Sequence, residues 1–153
     1  MQAATLEPDR VRRSTAPEVN ARIDDTISET VQRYASAPLP LISQRIGALE
    51  EEWDIERVLE TNASSLALAG VLLGAVGHRR GLLLATGVLG FLLMHATKGW
   101  CPPLPLLRRL GVRTRREIER EKFVLKYLRG DFAELSQERT TQAAAAALAA
   151  TQA

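Results

Sequence analysis

Along most of this chain apolar and polar positions alternate at helical spacing, but between Thr61 and Thr97 the polar positions nearly vanish. Ala63 to Gly77 and Gly81 to Thr97 are two apolar segments separated only by His78, Arg79 and Arg80, and no acidic residue occurs between Glu60 and Glu117. An amphipathic helix of a soluble bundle keeps a polar stripe at a 3.6-residue period. Neither segment has one. Each is on the order of 17 residues, roughly 25 Å as a helix, at the short end of what crosses a hydrocarbon core of about 30 Å. The pattern predicts a membrane helical hairpin over residues 61–98, either spanning or entering and leaving one leaflet.

On either side the periodicity returns. Val19, Ile23, Ile27, Val31 and Tyr34 recur at fours and a three, which predicts a first amphipathic helix over Thr15 to Ser36 with Pro17 in its first turn. Pro38 and Pro40 then force a turn or a fresh helix start. Ile42, Ile46, Leu49 and Trp53 mark a second helix whose other faces carry Glu50, Glu51, Glu52 and Asp54. The two helices either pair antiparallel over residues 15–60 or share their stripes in a dimer. Thr61 and Asn62 offer polar side chains to cap the first membrane helix, unless that helix runs on unbroken from Asp54.

Beyond the hairpin, Pro102, Pro103 and Pro105 predict an extended exit along the surface. Thr114 and Glu117 have the spacing of a capping box, and Gly130 suits a helix end. The helix between them places Ile118, Leu125 and Leu128 on one face, widened by Phe123, Val124 and Tyr127 and flanked by Arg120, Lys122, Lys126 and Arg129. A basic amphipathic helix next to a membrane exit is suited to anionic headgroups. Residues 1–14 read as a disordered N-terminus, and residues 131–153 as an alanine-rich tail.

The fold class expected is therefore an all-α integral membrane protein: two N-terminal amphipathic helices, a two-helix transmembrane hairpin and, within a Pro-rich exit and juxtamembrane region over 99–130, one C-terminal basic amphipathic helix. At 153 residues with 5% aromatic content the chain has room for one such module and no second large core. Met1 to Ser14 has no apolar region followed by a cleavage site, so the hairpin is expected to act as its own insertion signal. Residues 1–60 hold 7 basic against 12 acidic side chains, whereas residues 98–130 hold 10 against 3. The basic cluster past Lys98 puts the C-terminus in the cytoplasm, and two crossings put the N-terminus there as well. Arg79 and Arg80 at the turn oppose this but are outnumbered.

Small residues supply the expected contacts. Ala63, Ala67, Gly70, Gly74 and Gly77 fall on one face, with Gly70 to Gly74 spelling GxxxG, and Gly87 and Gly90 on the second segment could meet them or another copy. In lipid, close backbone approach is a main source of helix association. Lys98 and Trp100 fit an interfacial anchor, and Arg108, Arg109, Arg113, Arg115 and Arg116 fit lipid headgroups.

Glu56-Arg57, the glycine-rich hairpin, Gly99-Trp100-Cys101-Pro102 and Leu106-Leu107 together resemble the small bacterial inner-membrane family called YgaP-like, a domain of unknown function, over about 40% of the chain. In one architecture of that family the hairpin anchors a rhodanese. The resemblance implies a self-associating hairpin in the inner membrane with both termini cytoplasmic. It does not extend to rhodanese activity, which needs a separate domain carrying its own catalytic cysteine.

Other chemistry is thinly supported. Cys101 is the sole cysteine, which excludes a four-cysteine zinc site and an intramolecular disulfide. Lys98, Arg108 and Arg109 would favour its thiolate, but no His or acid accompanies it and a small apolar residue at a helix exit is the simpler reading. Glu50, Glu51 and Glu52 point different ways around a helix with no His nearby, as on a solvated face. His95 is a candidate haem or chlorin ligand or proton relay, and more simply an interfacial residue within a turn of Lys98. Without a stacking platform the basic charge does not suggest nucleic acid. The function expected is non-enzymatic and cofactor-free: a self-associating membrane scaffold or accessory subunit whose partners are the bilayer and another copy or complex subunit. The alternatives are a cofactor-binding or thiol redox component using His95 or Cys101, and a soluble helical bundle with the hairpin as its core.

Overall fold

A computed structural model describes residues 9–133, so the alanine-rich stretch from Thr140 lies outside the described residues. Those residues form seven α-helices and no strand: α1 (Arg10–Arg13), α2 (Pro17–Tyr34), α3 (Leu39–Glu51), α4 (Ile55–Ala75), α5 (Arg79–Lys98), α6 (Leu104–Arg109) and α7 (Arg115–Arg129). The described residues divide into two compact units, 9–24 with 53–116 and 25–52 with 117–133.

The first unit is built around the hairpin of α4 and α5. Asp54 caps α4, its carboxylate accepting from the Arg57 N–H at 2.8 Å, and the helix runs unbroken through Thr61 and Asn62. With 21 residues in α4 and 20 in α5, each reaches about 30 Å. Both are long and apolar enough to cross a membrane. Polar side chains inside them bond back to their own helix: Asn62 to the Val58 carbonyl at 2.7 Å, Ser65 to Thr61 at 2.7 Å and Thr86 to Leu82 at 2.8 Å. Such back-bonding satisfies a hydroxyl or amide where no water is at hand. α4 ends in a Schellman turn, with His78 N–H on the Leu73 carbonyl, Gly77 N–H on Gly74, and Gly77 at φ +96°.

At the base of the hairpin lies an apolar cluster of Val11, Ile55, Leu59, Cys101 and Leu104, with Leu107 and Val112 against it. Residues 9–14 are thus folded rather than disordered. Asp9 caps α1 by accepting from the Val11 N–H at 2.9 Å, and Val11 is buried. The Pro-rich exit is also shorter and more helical than an extended strip. Pro103 stands at the N-cap of α6 and Pro105 in its first turn, where a missing N–H costs nothing, so the prolines start a helix instead of preventing one.

The second unit packs α3 on α7. Ile42, Ile46 and Leu49 from α3 meet Ile118 and Leu125 from α7, with Tyr34, Ala37 and Leu128 at the edge. Arg45 bonds Glu121 through both Nε, at 2.9 Å, and Nη2, at 2.7 Å, over a carboxylate that is almost wholly buried. The expected roles of these stripes therefore change. The α3 stripe is covered by α7 rather than by α2 alone, and the apolar face of α7 is spent on α3 instead of lying on headgroups. A helix cannot bury one stripe in two places. α7 does begin directly after Thr114 and stop at Gly130, which takes φ +94°.

Candidate functional site

The hairpin seam is tightest toward its turn. A Cβ on Gly70 would lie 2.6 Å from the Gly81 carbonyl oxygen and 3.1 Å from the Ala85 Cβ, and one on Gly74 would strike the Leu82 side chain. Ala67 and Ala85 are buried in the same seam. Toward the base the seam residues grow, with Leu59 and Leu66 on α4 facing Val88, Phe91 and Leu92 on α5. There the helices flank a half-open apolar cavity of about 210 Å³, floored by Cys101, Pro102 and Pro103 and bordered by Asn62 and His95.

A second cavity, about 480 Å³ and more polar, adjoins it across Leu92 and His95, which line both. Glu56, Glu60 and Ser64 come from successive turns of one α4 face, Asp9 and Arg10 from the N-terminus, and Ala96 and Gly99 from the end of α5. Arg10 is held there by donating to the Ala96 carbonyl, one of the unpaired carbonyls of the helix terminus, where a cation also meets the negative end of the dipole. Gly99 makes this approach possible: it takes φ +74°, and a Cβ on it would lie 2.6 Å from the Arg10 backbone. His95 is 93% buried by its 7% exposure. Its Nδ1 and the Glu56 Oε2 are both buried without a hydrogen-bond partner among the described residues. Two such atoms beside one cavity are costly unless something fills it.

The residues singled out from sequence fall in several places. Ala67, Gly70 and Gly74 lie in the seam, Ala63 lines the apolar cavity, and Gly77 makes the turn. Gly87 and Gly90 are outside the seam, with nothing within 4 Å of a Cβ placed on either. Lys98 and Trp100 are exposed at the base, as are Arg109, Arg115 and Arg116. Arg108 and Arg113 are buried instead, which removes them from any headgroup surface. The Arg108 guanidinium donates to the Val112 carbonyl at 3.0 Å, the Asn20 side-chain oxygen at 3.0 Å and Thr15 Oγ1 at 3.3 Å, tying α6 to the start of α2. An arginine run looks uniform in sequence, but Arg108 faces inward from α6 and Arg113 from beyond the Schellman turn at Gly111, while Arg109, Arg115 and Arg116 stay exposed.

Cys101 is buried at 3% exposure, and burial pushes its thiol above the ordinary value. That is the opposite of an activated nucleophile. His78 caps the far end of α5 from His95, so the hairpin separates the two by about 26 Å. Trp53, half exposed, carries the Arg57 guanidinium 4.3 Å from its ring centroid, an i,i+4 pair at the start of α4.

Asp9, Arg10, Glu60 and Ser64 were not singled out from sequence, and Glu56 entered only through the family resemblance. The steps of four from Glu56 through Glu60 to Ser64 were visible as a polar stripe entering an apolar helix. Arg10 lies 86 residues from Ala96, and no local pattern joins them. No family model matches the chain, and neither a curated protein nor a solved structure matches it.

Proposed function

We propose that this chain is a membrane-embedded scaffold or accessory subunit, non-enzymatic, that self-associates through its hairpin and positions a partner at the cytoplasmic face of a bacterial inner membrane. The observation that carries this reading is the bareness of the hairpin. Leu68, Leu72, Val76, Leu83 and Leu93 are each 59% exposed or more, and only 17% of the most apolar stretch of each helix is buried inside the molecule. A core helix of a soluble bundle would be mostly covered, whereas a continuous apolar surface of this size needs lipid or protein over it.

Exposed Lys98 at the end of α5 and Trp100, Arg109, Arg115 and Arg116 beyond it suit the headgroup level on the cytoplasmic side. Both ends of the hairpin then return to that side, in keeping with the resemblance to the YgaP-like anchor. Gly87 and Gly90 leave a strip on α5 open to a second copy. The buried, unactivated thiol of Cys101 speaks against the thiol redox reading.

The test is fractionation of cells expressing the full chain, with carbonate and high-salt washes of the membrane pellet before detergent. Release only by detergent is the expected result. Release by salt or carbonate, or recovery in the soluble fraction, overturns the reading. Cross-linking in the extracted state then reads self-association, and a strictly monomeric product removes that part.

A further inference from the structure

The two cavities at the base of the hairpin differ in character and meet at His95. One is apolar and lies between the membrane helices; the other is lined by three carboxylates, Asp9, Glu56 and Glu60, with the Arg10 cation among them. The atoms left without partners sharpen the picture. Glu56 Oε2 is an acceptor, and His95 Nδ1 accepts when the ring carries its proton on Nε2. Both then call for N–H or O–H donors, and beside the carboxylates of Asp9, Glu56 and Glu60 a donor that also carries positive charge is favoured.

We propose that the paired cavities bind a lipid with a primary-ammonium headgroup, of the ethanolamine phospholipid class. Its amine donates to Glu56 and His95, its phosphate faces Arg10, and the start of one acyl chain lies among Leu66, Val88 and Phe91. The three lines of support are independent. An ammonium has three donors, enough for both orphaned acceptors with one left over for Glu60. An anionic head without an amine would bring negative charge beside three carboxylates. A choline head has the charge but no N–H. For the tail, an apolar cavity of about 150 Å³ already accepts a benzene molecule, so 210 Å³ takes a short run of methylenes. The site rests on the membrane reading of the hairpin, because the chain has to enter from the leaflet.

The experiment uses the full chain extracted in mild detergent and stripped of lipid, titrated by native mass spectrometry. The probes are lysophosphatidylethanolamine, lysophosphatidylcholine, lysophosphatidylglycerol and tail-less phosphoethanolamine. Lysophosphatidylethanolamine is expected to bind about tenfold tighter than the other two lysolipids, the factor set by one charge-assisted hydrogen bond. Phosphoethanolamine alone is expected to show no binding at the same concentrations. Glu56→Gln should remove the headgroup preference while leaving weak tail binding. Leu66→Trp, at a half-exposed position on the cavity wall and away from the tight Gly70–Gly81 contact, should weaken all three lysolipids together. His95→Phe, checked for helical content by circular dichroism, tests the second acceptor should Glu56→Gln fail to fold. Equal binding of the three lysolipids, or a preference that survives both Glu56→Gln and His95→Phe, overturns the site. The carbonate wash reads membrane insertion separately, so a failed headgroup preference and a failed hairpin are told apart.

Discussion

Gly70 of α4 and Gly81 of α5 meet backbone to backbone: a Cβ on Gly70 would stand 2.6 Å from the Gly81 carbonyl oxygen, and one on Gly81 would stand 2.7 Å from the Leu73 Cβ. Neither neighbour is a flexible side-chain end that could swing aside. The hairpin angle is therefore set near its turn, and the cavities at its base exist because larger side chains hold the helices apart there.

Gly70→Leu is expected to lower the stability of the detergent-solubilised hairpin by about 1–3 kcal/mol, the cost of overpacking a close contact. Gly87→Ala, where the added methyl meets open space, should leave stability unchanged or slightly raised, since alanine is the better helix former. Thermal unfolding followed by circular dichroism checks both. Equal effects at the two positions would mean that the α4–α5 seam is not where the structure puts it.

Arg108 and Arg109 are neighbours in sequence with opposite fates. Arg108→Ala removes a fully buried guanidinium and leaves the Asn20 oxygen and Val112 carbonyl unsatisfied, which should cost on the order of 2–4 kcal/mol. Arg109→Ala truncates an exposed side chain and should cost under about 0.5 kcal/mol. Binding of anionic lipid to the detergent-extracted chain separates the roles further: Arg109→Ala weakens it without destabilising the fold, and Arg108→Ala destabilises the fold without weakening it. If both variants behaved alike, the buried network around Arg108 would be wrong.

Periodicity carried most of what could be read before the structure. The stripe from Val19 to Tyr34 became α2, the prolines at 38 and 40 marked the start of α3, and Gly130 closed α7. The apolar runs became α4 and α5, two helices able to span a membrane. What a stripe packs against is a separate matter, because periodicity names a face and not its partner. Ile42 and Ile46 on α3 fit the preceding helix α2, close in sequence, as well as they fit Ile118, more than 70 residues away. The cavity residues were hidden for a related reason. Arg10 looks like a loose terminal charge until the positive φ of Gly99 lets the chain reach the end of α5. The arginine run misled in the other direction, since composition does not show which members of a charge cluster turn inward.

Arg45→Met keeps the length of the side chain and removes its two bonds to Glu121, whose side chain is 1% exposed. Losing a charge-assisted pair at so buried a carboxylate should cost about 1.5–3 kcal/mol. The double variant Arg45→Met with Glu121→Met, which replaces the pair by apolar volume, should recover much of that loss. A chemical-denaturation cycle over the four proteins measures the coupling, and additive losses would deny the pairing of α3 with α7.

Cys101 gives the pH dependence its sign. Its folded pKa lies above the unfolded one because burial disfavours the thiolate. The neutral thiol is the stabilised form, so its contribution is complete below the unfolded pKa and is lost as pH rises through the folded one. The hairpin base should therefore loosen on the alkaline side of the ordinary thiol range, with no change from this group on acidification. Alkylation by iodoacetamide, which needs the thiolate and access to it, should be at least tenfold slower in the folded chain than in denaturant at pH 8, the combined effect of burial and a raised pKa. Cys101→Ser should flatten the alkaline limb and, by placing a hydroxyl among Val11, Ile55, Leu59 and Leu104, lower stability by about 1–3 kcal/mol. Fast alkylation of the folded protein at neutral pH would put the thiol outside the cluster and return it to the list of reactive groups.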